Sequence, residues 1–203
     1  MPALDAIIFD VGNVLYHWDI RRLYAPLVDD PARLDRLLGD VVTLAWHFQH
    51  DAGRDFADTS AELAAEYPEF ADLIDLFGPR FGETIGPPVE GMVELARDLH
   101  ARGLTLYGIT NFSHEFWPPF REGAPVFDLF DDIIVSGEEK LTKPDPAIFD
   151  LAKRRFPLAP DRALFIDDQP NNAAAAEAAG YHAHIFAGRA GLERRLREFG
   201  VNV

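Results

Sequence analysis

Short, almost uninterrupted apolar stretches recur along the chain and set its rhythm. The first, Leu4-Asp5-Ala6-Ile7-Ile8-Phe9, ends on Asp10 and the turn-forming Val11-Gly12-Asn13. Others occupy 104–109, 132–135, 163–166 and 181–186. Short β-branched runs that are apolar at successive positions predict strands buried on both faces, as in a parallel sheet covered by helices. Between them the period becomes helical. Over 89–102 the apolar positions are Val89, Met92, Val93, Leu95, Ala96 and Leu99, and the pattern stops before Gly103. The stretches 146–156 and 170–179 each begin with proline, which the first helical turn accepts because its missing N–H has no partner there. A closing helix is expected over 192–199. Strands alternating with helices predict an α/β, doubly wound parallel sheet.

One region breaks the alternation. From about 19 to 86 there is no strand-like run, only helical stretches at 31–38, 41–50, 59–66 and 70–77. This segment is expected to form a helical cap inserted after the first strand. The predicted division is an α/β core at 1–17 and 87–203, with a helical cap domain at 18–86.

Composition narrows the classes. With 203 residues, 48% hydrophobic and 26% charged, the chain can bury a sizeable core in one domain carrying a modest insert. Thirty-four acidic against 19 basic residues give a net charge of −15, which disfavours nucleic acid as a partner. A small phosphate ligand is still allowed, because local amides, a lysine and a divalent cation override the far field. The absence of cysteine excludes disulfides, thiol catalysis and zinc–thiolate centres. No apolar run reaches the 18 or so residues of a membrane span, and the first ten positions carry Asp5 but no basic segment. The expectation is a cytoplasmic protein without membrane or nucleic-acid partners, its monomeric or homodimeric state left open.

Ligands of open parallel sheets gather outside the carboxyl ends of the strands. The polar residues at those ends are Asp10, then Thr110-Asn111, then Asp167-Asp168, with Lys140 and Lys143 in the loop after the third strand. Clustered carboxylates without histidine or cysteine point to a hard cation, Mg2+. A neighbouring ammonium and a hydroxyl suit phosphate oxygens. Together these groups suffice for phosphoryl transfer through an aspartyl intermediate.

The ordered segments Ile8-Phe9-Asp10-Val11-Gly12-Asn13-Val14-Leu15, Ile109-Thr110-Asn111, Lys143-Pro144-Asp145-Pro146-Ala147-Ile148-Phe149 and Phe165-Ile166-Asp167-Asp168 resemble the four motifs of the haloacid dehalogenase (HAD) superfamily of hydrolases. The resemblance implies a Rossmannoid core with a helical cap and a Mg2+-dependent phosphatase of small phosphorylated metabolites, phosphosugar-like in class. It implies Asp10 as nucleophile, Thr110, Asn111 and Lys143 around the phosphoryl oxygens, and Asp10, the Gly12 carbonyl, Asp167 and Asp168 about the metal, Asp168 being the preferred direct ligand. Asn172 is expected to brace this loop. The Phe-Asp-x-Gly-Asn-Val form, with Ala45-Trp46-His47-Phe48-Gln49-His50 and Glu115-Phe116-Trp117-Pro118, is similar to a helical-cap subgroup of sugar-phosphate phosphatases.

Gly12 departs from the common pattern, which carries there a second Asp that protonates the leaving group and then activates water. Candidates for the missing acid are solvent, the substrate or a cap group, with His47 and His50 named among the last. Trp18, at the hinge after the first motif, and His47 are the candidate substrate contacts, with Arg54 a weaker one. Two other classes stay open. A 2-haloacid dehalogenase needs no acid at position 12 but has no use for the Asp167-Asp168 pair, whose clustered charge it would leave uncompensated. A non-catalytic binder of a phosphorylated ligand would have little need of a nucleophile.

Overall fold

The computed structural model describes residues 4–203; the start of the expected 1–17 core segment, and of the stretch weighed against a leader, lies outside them. Five strands form a parallel sheet: β1 (Ala6–Phe9), β4 (Thr105–Thr110), β5 (Phe130–Val135), β6 (Ala163–Asp167) and β7 (His182–Ile185), in the spatial order β5-β4-β1-β6-β7. β1 is central, with Ile7 opposite Leu106 on one side and Leu164 on the other. All four of its residues are buried, and their alternation explains why. Ile7 and Phe9 enter one apolar cluster, while Ala6 and Ile8 enter the other on the opposite face. Ile7, Ile8 and Phe9 each contribute roughly 1.5–3 kcal/mol by burial.

Helices cover both faces. α6 (Met92–Ala101), α7 (Trp117–Glu122) and α11 (Arg189–Glu198) place Leu95, Trp117 and Leu192 in the first cluster. α9 (Pro146–Arg155) and α10 (Pro170–Ala178) place Ile148, Phe149 and Ala173 in the second. α9 starts where expected because Asp145 accepts a hydrogen bond from Ala147 N at 2.9 Å and Pro146 follows it in the first turn. A single turn, α8 (Ser136–Glu139), follows β5. The chain therefore has the mixed α/β fold its periodicity predicts.

Between β1 and β4 the chain leaves the sheet. The helices of this insertion are α1 (Arg21–Tyr24), α2 (Pro31–Arg36) running into a π turn (Leu37–Val41), α3 (Leu44–Asp51), α4 (Phe56–Glu66) and α5 (Ala71–Asp75). Their buried faces, including Leu23, Leu37, Trp46, Leu63 and Ile74, with Phe77 just past α5, are continuous with the first cluster. Phe81 stacks on Phe116 at 4.3 Å between centroids, joining the insertion to the helical layer.

One feature differs from the strand-free reading of this region. β2 (Tyr16–Trp18) and β3 (Ile85–Pro88) pair antiparallel, with Tyr16 opposite Pro88 and Trp18 opposite Ile85. This two-stranded ribbon ties together the two ends of the insertion. Its sequence hid it: Ile-Gly-Pro-Pro carries two prolines, which remove ladder donors and mark an edge at best.

Candidate active site

The carboxyl end of β1 runs directly into a tight loop. Val11 O accepts hydrogen bonds from Leu15 N at 2.9 Å and Tyr16 N at 3.1 Å, folding the chain back on itself. Asn13 takes the left-handed conformation, φ 56°, that Asn tolerates better than most residues. Its Oδ1 accepts from Trp18 N at 3.1 Å, locking the loop to β2.

Lys143 is the hub of the charged groups at this edge. It is 2% exposed, with Nζ 2.9 Å from Asp10 Oδ1 and 2.7 Å from Asp167 Oδ2. Its main chain is clamped by Asn111, whose Nδ2 donates to Lys143 O at 3.0 Å and whose Oδ1 accepts from Lys143 N at 2.8 Å. Asp167 is fully buried and saturated: Asn172 Nδ2 reaches both its oxygens at 3.0 and 3.1 Å, and Gln169 N donates to Oδ1 at 2.8 Å. Asp10 is different. Lys143 and Val11 N, at 2.7 Å, both bind Oδ1, and Oδ2 has no hydrogen-bond partner among the described residues. Asp168, half-buried, accepts from Gln169 Nε2 through Oδ2 at 2.9 Å.

These contacts set the protonation chemistry. Burial raises Asp10 to about 7, with Lys143 pulling it down and Asp167 pushing it up. Burial also raises Asp168, the Gln169 amide opposing. For Lys143, burial alone would lower the pKa, but the Asp10 and Asp167 carboxylates outweigh it and hold the ammonium above its usual range.

A cavity of about 250 Å³ opens on this edge. Its floor is Asp10, Gly12, Asn111, Lys143, Asp168 and Asn172, and the insertion and its hinges supply the wall through Trp18, Leu44, His47, Phe48, Asp51 and Phe81. Trp18 stacks on His47 at 4.8 Å. Leu44 and Phe48 are the exposed large apolar residues of this wall, 65% and 42% exposed.

Of the residues singled out by sequence, Asp10, Gly12, Trp18, His47, Asn111, Lys143 and Asp168 meet on this one cavity. Thr110, buried at the end of β4, and Asp167 do not line it. Asn111 has its amide engaged on the Lys143 backbone, so it braces the lysine loop. His50 is sealed in the insertion, with Nε2 2.6 Å from Thr59 Oγ1, and does not reach the cavity. Arg54 pairs with Glu62 at 2.7 Å on the surface, outside the cavity. Lys140 is likewise exposed. Sequence reasoning passed over Asp51, which also lines the cavity. Its one signal was the four-residue spacing from His47, which puts both on one helix face. Phe81 and Ile85 were missed as well, since only tertiary packing turns them inward.

The donor set fits a hard divalent cation. Asp10, Asp167 and Asp168 each offer an oxygen within 4.8 Å of the others, and one lysine faces all this charge. With Asp167 saturated by protein donors, the free carboxylate oxygens belong to Asp10 and Asp168. Oxygen-only ligands of this kind suit Mg2+.

Comparison with known proteins agrees with this geometry. A family model for haloacid dehalogenase-like hydrolases matches residues 4–180. The chain is 29% identical over 184 residues to the sesquiterpene phosphatase astK of Aspergillus oryzae, covering 88% of this chain and 87% of that protein. It is 33% identical over 114 residues to a phosphoglycolate phosphatase of Thiobacillus denitrificans, a match spanning 55% of this chain and half of the relative. In structure it resembles a HAD family enzyme of Bacteroides thetaiotaomicron solved with magnesium and inorganic phosphate, at a TM-score of 0.72 and 19% identity over 90% of this chain and 93% of the other. Among the described residues no helix is long and apolar enough to cross a membrane.

Proposed function

The chain belongs to the haloacid dehalogenase-like hydrolases, and from that premise we propose that it is a Mg2+-dependent phosphatase of small phosphate monoesters. The observation that carries the reading is the arrangement of Asp10, whose Oδ1 is pinned by Lys143 and Val11 N while Oδ2 stays free at the cavity floor. A carboxylate so held presents one oxygen for in-line attack on phosphorus and keeps the other from rotating into its place. The phosphoryl group passes to Asp10 and is then released by water.

Lys143 neutralises charge on the phosphoryl oxygens. Asn111 and Asn172 hold the scaffold, one through the Lys143 backbone and the other through Asp167. Mg2+ would be held by Asp10, Asp168 and the Gly12 carbonyl, and supplies positive charge against the phosphate and the carboxylates. Asp167 acts in this reading by positioning Lys143. Segment 18–86 serves as the cap that excludes bulk water and selects the leaving alcohol.

The cap wall favours an alcohol with an apolar body over a polyhydroxylated sugar. Trp18, Leu44, Phe48, Phe81 and Ile85 face the cavity, and His47 and Asp51 are its polar groups from the helical segment. Sugar hydroxyls buried against such a wall would lose water without gaining partners. The sesquiterpene phosphatase among the relatives supports the same preference.

Phosphate release from isoprenoid, sugar and aryl monophosphates, with Mg2+ and then with EDTA, tests the reading. Metal-dependent release with the apolar ester preferred is the expected result. Silence on every phosphate ester would end it and direct attention to 2-haloacids.

A further inference from the structure

Position 12 leaves the reaction without a proton donor on the core side. A Cβ added to Gly12 would meet nothing within 4 Å, so the space where an acid would stand is open. The two histidines named for the role do not fill it. His47 is buried and held neutral, its pKa lowered to about 3 by burial and by His50. His50 is committed to Thr59 and lies outside the cavity.

Asp51, the last residue of α3, has the properties the histidines lack. It lines the same cavity as Asp10, Gly12 and Lys143 and is only 6% exposed. Its Oδ1 has no hydrogen-bond partner among the described residues, and Oδ2 stands 3.6 Å from His47 Nε2. A buried carboxyl oxygen without a partner is costly, and a ligand group is the partner it lacks.

The residue is also fixed to the core. Its main-chain carbonyl accepts from Ser136 Oγ at 2.6 Å, and Ser136 Oγ in turn accepts from Phe112 N at 3.0 Å. Just beyond, Gly53 at φ 88° passes so close to Gly137 that a Cβ would lie 2.9 Å from its carbonyl. The end of α3 therefore docks against the turn after β5. Burial, and then the Asp10 carboxylate, raise Asp51 to about 8 against the pull of Lys143, so it carries a proton at neutral pH.

Resting on the phosphatase reading, we propose that Asp51 is the general acid, and then the general base, that replaces the missing carboxyl at position 12. As the Asp10 Oδ2–phosphorus bond forms and the phosphorus–alcohol bond breaks, the Asp51 proton passes to the departing alkoxide. The Asp51 carboxylate then takes a proton from water as that oxygen bonds to phosphorus and the Asp10–phosphorus bond breaks. Phosphate leaves, and both aspartates are restored.

The test compares an alkyl monophosphate, a poor leaving group, with p-nitrophenyl phosphate, a good one, for the Mg2+-loaded wild type, Asp51→Asn, and Asp51→Asn combined with Gly12→Asp. Asp51→Asn is expected to lower kcat/KM for the alkyl ester by about 100- to 10,000-fold and for release of p-nitrophenol by less than about tenfold. Gly12→Asp, entering open space, should recover part of the alkyl activity. Equal losses on both esters, or an unchanged alkyl rate, would overturn the assignment. The wild type alone gives an independent check should Asp51→Asn fail to fold: log kcat/KM against leaving-group pKa should be shallow, and a steep slope would show that no acid operates. A wild type silent on both esters would overturn the phosphatase reading and this inference with it, whereas an active wild type with an indifferent Asp51 would sink the inference alone.

Discussion

The floor and the wall of the cavity are built on opposite principles. At and beneath the floor, Lys143, Asp167, Asn111 and Asn172 satisfy one another within the chain, with contacts of 2.7 to 3.1 Å, and Lys143 and Asp167 are almost unexposed. In the wall, aromatic rings stack, and Trp18 Nε1, His47 Nδ1 and Asp51 Oδ1 lack partners among the described residues. A saturated network is stiff and holds its geometry. A wall of stacked rings with unspent polar atoms is shaped for something else to complete it. Chemistry that needs fixed geometry suits the first kind of region and substrate choice the second, because a saturated network holds its groups still while the wall keeps polar atoms unspent.

The sharpest way to break that contrast is at the floor. Asp10→Asn should bring phosphate release down to background while the far-UV circular dichroism stays native; clear residual turnover would refute the covalent route. Lys143→Ala comes next, since it leaves Asp10 and Asp167 buried without their counter-charge. A loss of about 3–5 kcal/mol of stability is expected by urea unfolding, besides the loss of activity. Mg2+ should raise the thermal midpoint of the wild type by mass action, with the rise largely abolished in Asp168→Asn and kept in Phe48→Ala. An equal rise in Asp168→Asn would remove that residue from the metal site.

Smaller effects sharpen the comparison from the wall. Without metal, Asp10 and Asp51 have folded-state pKa values raised to about 7 and about 8. Between the ordinary carboxylate range and those values the folded chain binds more protons than the unfolded one. Their contribution to stability is therefore full below about pH 4 and is lost as pH rises toward 8. Denaturation midpoints measured across that window should fall for the wild type and fall less for Asp51→Asn. The mildest change is Phe48→Ala. At 42% exposure Phe48 holds little of the fold together, so the thermal midpoint should barely move. KM for an apolar ester should nevertheless rise by about tenfold, the worth of roughly 1–3 kcal/mol of apolar contact. An unchanged KM would take Phe48 out of the substrate wall.

Much of the floor can be read along the chain, and the reason is local. A strand buried on both faces must be apolar throughout, so Ile7-Ile8-Phe9 announces itself, and the first polar residue after it marks the sheet's edge. Asp10, Asn111, Asp167 and Asp168 are found in this way; the loop before the Pro146 helix offers Lys140 and Lys143 alike, and only the resemblance of Lys143-Pro144 to the family motif picks Lys143. The wall cannot be read so. Tyr16–Trp18 and Ile85–Pro88 pair across the whole insertion, and no window of sequence contains both strands. Trp18 faces His47, and Phe81 faces Phe116, only because the helices between them fold back over the sheet. Asp51 is one more helical aspartate until Ser136 fixes its carbonyl and burial strips its carboxyl of water.

The amino-acid pattern by itself determined the alternating α/β core, the edge where ligands gather and the oxygen-donor chemistry found there, because periodicity and chain order dictate them within a few residues. Tertiary structure alone decided which oxygen of Asp10 is free, that Asn111 serves Lys143 through its backbone, and that Asp51 of the insertion lines the same cavity as Gly12. Those are matters of distance and desolvation between segments far apart in sequence, and only the packed chain sets them.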